Sequence, residues 1–60
     1  MIISIGLRYR VNYDGETVNV TVTDAAHNTS SGVTGFLCKG VDEPEWVRVV
    51  YPQDFETEIL

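Results

Sequence analysis

His27, Cys38 and the carboxylates of Asp42, Glu43 and Glu45 are the side chains in this 60-residue sequence whose types invite a chemical reading. His27 has Ser30 and Ser31 close by, the residue types of a Ser-His nucleophilic site. Such a site needs a rigidly oriented base. Residues 24–32 are small, polar and turn-prone, which predicts a loop without the bulk to hold one. Cys38 precedes Lys39, whose charge would favour a thiolate, but its neighbours Phe36 and Leu37 read as a buried structural thiol. A single cysteine and a single histidine exclude an intrachain disulfide and a Cys/His metal cage. Asp42-Glu43-Pro44-Glu45 lacks the spacing and glycine of a calcium loop, and the glycines at 6, 15, 32, 35 and 40 form no phosphate cradle. The expectation is a non-enzyme with no catalytic residue, no metal and no cofactor.

Charge is the more informative feature. Residues 42–60 hold six acids (Asp42, Glu43, Glu45, Asp54, Glu56, Glu58) and one base, Arg48, whereas residues 1–41 balance three against three. The net charge of −5 therefore lies at one end of the chain. A field of that sign repels nucleic acid and anionic membrane and attracts basic surfaces. Tyr9, Tyr13, Trp46 and Tyr51 could stack bases, but four bases against nine acids supply no basic groove, so no direct nucleic-acid binding is expected. Arg8 and Arg10 read as solubility and edge protection.

The elements that must position these groups are strands. Ile3, Ile5, Leu7, Tyr9, Val11 and Tyr13 alternate with polar residues or glycine, and so do Val18, Val20 and Val22. Asp14-Gly15 between them suits a type I′ turn. That turn sets Tyr13 opposite Glu16, Val11 opposite Val18, Tyr9 opposite Val20 and Leu7 opposite Val22, with every apolar pair on one face. Residues 33–40 read as a third strand, with Gly35 and Gly40 as sites for a bend or bulge. Residues 42–45 read as a turn. Residues 46–51 read as a fourth strand, apolar on both faces and hence central. After Pro52, residues 53–60 suit either a strand, with Phe55, Thr57 and Ile59 inward, or a short helix that stacks Phe55 on Ile59. The strand is favoured, because a helix would set Asp54 and Glu58 in mutual repulsion. The fold class is all-β (mostly β): a small twisted antiparallel sheet or partly open barrel of four to five strands, the C-terminal segment left between strand and short helix.

Sixty residues form one domain, 1–60, which must rest on its apolar core, with self-association as a further support. No apolar run reaches the length of a membrane span, and residues 1–5 lack a basic leader, so no membrane partner and a reducing cytoplasm are expected. Asn19-Val20-Thr21 and Asn28-Thr29-Ser30 read as chance glycosylation patterns.

In the strand reading, Asp54, Glu56 and Glu58 project from one face about 6.6 Å apart, a row comparable to the phosphates of a nucleic acid. Asp42, Glu43 and Glu45 extend it, with Trp46 as an aromatic anchor. In size, charge and carboxylate spacing the chain resembles the small acidic inhibitors that bacteriophages encode, anti-CRISPR proteins and other DNA mimics among them. That resemblance implies a binder without cofactors that blocks a protein partner's basic, nucleic-acid-binding surface. The five short strands and the Pro-Gln-Asp-Phe segment are also similar to small SH3-like barrels, which implies an adaptor whose aromatic groove (Tyr9, Trp46, Tyr51) takes a peptide or a neighbouring subunit.

Overall fold

The computed structural model describes every residue except 29 and 31, and the backbone alone for 28 and 33. It contains five antiparallel strands, β1 (Arg8–Tyr13), β2 (Glu16–Asn28), β3 (Val33–Gly40), β4 (Val47–Val50) and β5 (Phe55–Ile59), with one 3₁₀ turn, Pro52–Asp54, before the last. They form a single open sheet in the order β4-β3-β2-β1-β5. The sheet is curled. Phe36 of β3 and Phe55 of β5 are separated by two intervening strands, yet their ring centroids lie 5.8 Å apart.

The first hairpin follows the alternation of its residues. Tyr13 pairs with Glu16, Val11 with Val18 and Tyr9 with Val20. Asp14 (φ 52°) and Gly15 (φ 83°) both take the left-handed backbone of a type I′ turn. The pairing extends one residue beyond β1, since the Val22 N–H donates to the Leu7 carbonyl at 3.0 Å. The strand itself does not reach back to Ile3, as the alternation predicts. A turn closed by the Leu7 N–H on the Ser4 carbonyl, with Gly6 at φ 92°, redirects the chain and leaves Leu7 41% exposed. Tyr9 ties this segment down: its hydroxyl accepts from the Ser4 N–H (2.8 Å) and donates to the Ile2 carbonyl (3.4 Å).

Residues 24–28 are a strand rather than the start of a loop. Ala25 pairs with Phe36, Ala26 with Gly35 and His27 with Thr34. Propensity argues against this segment, but cross-strand partners outweigh it. A register shift at Thr23 bends β2 by the mechanism of a bulge, so its first half lines β1 and its second half lines β3. The predicted 24–32 loop thus contracts to the connection between Asn28 and Val33, part of which, residues 29 and 31, lies outside the described residues.

Of the bend or bulge expected at Gly35 and Gly40, no register shift falls at either glycine; both serve close approach. A Cβ on Gly35 would stand 2.6 Å from Val49 Cγ1, and one on Gly40 would overlap the Glu43 carbonyl oxygen. Strand β4 is an edge and not the central strand that its two apolar faces suggest. At the C-terminus the strand reading holds, and the alternative helix is reduced to the 3₁₀ turn that Pro52 begins.

Tyr9, Val11, Val20, Val22, Cys38, Val50 and Phe55 form the core, with Ile3, Tyr13, Val18, Phe36 and Trp46 packed against it. Tyr9 meets Phe55 edge-on at 5.3 Å. Such ring pairs add about 1 kcal/mol beyond the area they bury.

Candidate functional site

Val18, Asn19 and their neighbours in β2 extend past the end of β3, and the 41–46 turn folds beside them. The Val41 N–H donates to the Asn19 carbonyl (2.9 Å), and the Trp46 N–H closes the turn on the Glu43 carbonyl (2.9 Å). Between turn and strand lies a groove of about 350 Å³ lined by Arg10, Glu16, Val18, Asn19, Asp42, Glu43 and Trp46, among others. Trp46 is half-buried, meets Tyr13 edge-on at 5.4 Å and carries the Arg48 guanidinium 5.5 Å above its ring. Glu16, Asp42 and Glu43 are exposed in the groove lining, where Arg10 is the one base besides the Arg48 that lies over the indole. Glu45 is exposed in the same turn. No ion pair among the described residues ties down any of these acids.

Glu16 belongs to the charge-balanced half of the sequence and carried no signal for this site. The hairpin register and the fold of the 41–46 turn bring it to Asp42 and Glu43. The C-terminal acids are arranged differently from the expected row. Asp54 sits half-buried in the 3₁₀ turn. Val11 pairs with Phe55 while Arg10 pairs with Thr57, so Glu56 has no residue opposite and the alternation breaks there. Glu58 then pairs with Tyr9, and Thr57 and Ile59 pair with Arg10 and Arg8 instead of turning into the core. Glu56 and Glu58 remain exposed on the free edge of β5. The two-residue step from Asp54 through Glu56 to Glu58 is not a straight row on one face.

Three of the four bases branch from one face of the sheet, although Arg10 also lines the groove. Arg8 is opposite Thr21, Thr21 opposite Lys39 and Arg10 opposite Asn19, all on the face away from Tyr9 and Val11.

The aromatic groove of the SH3-like reading is not assembled as expected. Tyr9 is wholly enclosed. Tyr51 lies against Gly35, on the face opposite Trp46. Of the three, only Trp46 lines the groove.

His27 is exposed on β2, its Nδ1 3.1 Å from Thr34 Oγ1. Ser30 is exposed, and Ser31 lies outside the described residues. Cys38 is fully buried and its thiol donates to the Phe36 carbonyl (3.4 Å). Burial pushes that thiol up to about 11, the opposite of activation by Lys39. Among the described residues no cluster of three His, Cys, Asp or Glu is placed to hold a metal ion, and no helix is long and apolar enough to cross a membrane. No protein-family model, no curated protein and no solved structure matches this chain.

Proposed function

We propose that this protein is a non-catalytic interaction module whose acidic groove docks on a basic, nucleic-acid-binding surface of a protein partner and blocks it. One observation carries the reading: Glu16, Asp42 and Glu43, drawn from two distant parts of the sequence, line one groove with a half-buried indole, against Arg10 in the lining and Arg48 over the ring. Carboxylates around an aromatic anchor suit Lys and Arg side chains, which offer an apolar stem beneath a charged head. Glu45 beside the groove, and Glu56 and Glu58 on the β5 edge, add long-range attraction. The likeness to phage-encoded DNA mimics fits this reading in size and charge.

The test is displacement. Purified high-pI nucleic-acid-binding proteins are loaded with labelled duplex DNA and titrated with this protein. DNA release from at least one of them, weakening as salt rises, is expected. Reversal of Glu16, Asp42 and Glu43 to lysine should abolish release while circular dichroism stays unchanged. Release undiminished by that reversal would refute the reading.

The SH3-like adaptor reading has its own support in the five strands, the 3₁₀ turn and the Tyr13–Trp46 pair. It requires that Trp46→Ala removes binding and that salt hardly matters.

A further inference from the structure

The indole beside the groove already carries a cation. Trp46 and Arg48 stand two residues apart at the start of β4, so their side chains leave the same face of the chain. The Arg48 guanidinium lies 5.5 Å from the ring centroid, within the range of a cation–aromatic contact. Arg48 itself does not line the groove, whose acids are Glu16, Asp42 and Glu43.

Arg48 is held loosely. It is exposed, and among the described residues its one hydrogen bond runs from Nη1 to the Val47 carbonyl at 2.9 Å. No carboxylate among those residues pairs with it, in a chain of nine acids. The Trp46 carbonyl accepts from the Gly40 N–H of β3, so the Val47 carbonyl points the other way, off the free edge of the sheet. Water can take the place of Arg48 there, so moving the guanidinium off the ring costs little.

From this we infer that the ligand of the groove is an arginine side chain of the partner, and that Arg48 is the internal stand-in it displaces from the indole. The inference rests on the groove as the docking site and names the residue type the partner supplies. An incoming arginine takes from the ring what Arg48 takes. It adds the carboxylates of Asp42, Glu43 or Glu16, which Arg48 leaves unpaired. A guanidinium does both at once, because it stacks by its flat face and donates through the fork at its rim. A lysine ammonium is a compact, strongly hydrated point charge without that flat face. Arg48 thereby sets selectivity: its charge over the ring repels loosely held cations, and arginine has the contacts to replace it.

Trp46 is the only tryptophan, so fluorescence reports on this ring alone. The probes are octa-arginine and octalysine, equal in charge, with circular dichroism checking the fold of each variant. Octa-arginine should perturb Trp46 emission and bind several-fold more tightly than octalysine. Arg48→Ala should tighten octa-arginine binding about threefold. Arg48→Gln, which keeps a stem over the ring and loses the charge, should act in the same direction. Arg8→Ala, which removes the same charge outside the groove lining, should change binding far less. Binding unchanged or weakened by Arg48→Ala overturns the inference. So does equal affinity for the two peptides, or a Trp46 emission that octa-arginine leaves unmoved. The docking reading fails separately: octa-arginine held at Trp46 without release of DNA from any basic protein refutes that reading and leaves the arginine site standing.

Discussion

The indole of Trp46 meets the ring of Tyr13 at 86°, centroids 5.4 Å apart, joining the start of β4 to the end of β1 although neither strand is hydrogen-bonded to the other. This contact closes the groove end of the curled sheet. A double-mutant cycle with Tyr13→Leu and Trp46→Leu should give a coupling of about 1 kcal/mol in urea unfolding. Additive losses would show that the rings are neighbours without mutual stabilisation.

Gly40 and Gly35 should respond unequally to alanine. At Gly40 the new methyl meets the backbone carbonyl of Glu43, which cannot yield without opening the 41–46 turn. At Gly35 it meets a methyl of Val49 on an exposed edge strand, which can move aside. Gly40→Ala should cost about 2–3 kcal/mol and Gly35→Ala about 1 kcal/mol, read from denaturant midpoints. Because the turn carries Asp42 and Glu43, Gly40→Ala should also weaken displacement activity.

The hairpin turn predicts a backbone penalty without any clash. Gly15 has open space around a Cβ, but its φ of 83° disfavours one. Gly15→Ala should destabilise by about 1 kcal/mol, and Gly15→Asn by less, since Asn tolerates the left-handed region.

Cys38 gives the fold an alkaline limit. Its thiol is neutral when protonated, and burial raises the folded value from 9.0 to about 11. Below pH 9 both states hold the proton and the group adds no pH dependence. Above it the unfolded chain releases the proton first, so stability falls until the folded thiol also ionises near 11. The loss amounts to about 3 kcal/mol by then, and Cys38→Ala should lack this component of the stability–pH curve. A thiol reagent at neutral pH should label the native protein only as fast as it opens.

Charge reversal should separate the groove from the β5 edge. Glu43→Lys changes a carboxylate beside Trp46, whereas Glu58→Lys changes one paired with Tyr9 on an edge strand. Glu43→Lys should reduce displacement at least tenfold, and Glu58→Lys should act mainly on the association rate and its salt dependence. Equal effects on dissociation would place both residues in one contact surface.

The sequence by itself determined the elements whose causes are local. Asp14-Gly15 and the alternation of Tyr9, Val11, Val18 and Val20 leave one register for the first hairpin, because a one-residue slip would turn every valine to water. The bounds of β3 and the presence of a strand at Phe55–Ile59 were legible as well, although the inward set of the latter was not. What only the tertiary structure decided is whatever depends on a partner distant in sequence. Residues 24–28 become strand because β3 offers them hydrogen bonds, against their own propensity. Strand β4 lies at an edge because β3 is its only neighbour, a fact its apolar composition cannot express. The bulge at Glu56 depends on the fit of β5 to β1, and it dissolves a row of carboxylates that the period-2 pattern draws straight. The meeting of Glu16 with Asp42 and Glu43 comes from the same source: charge has no periodicity to reveal its neighbours, and only the fold of the 41–46 turn against β2 brings residues 16 and 43 to one groove.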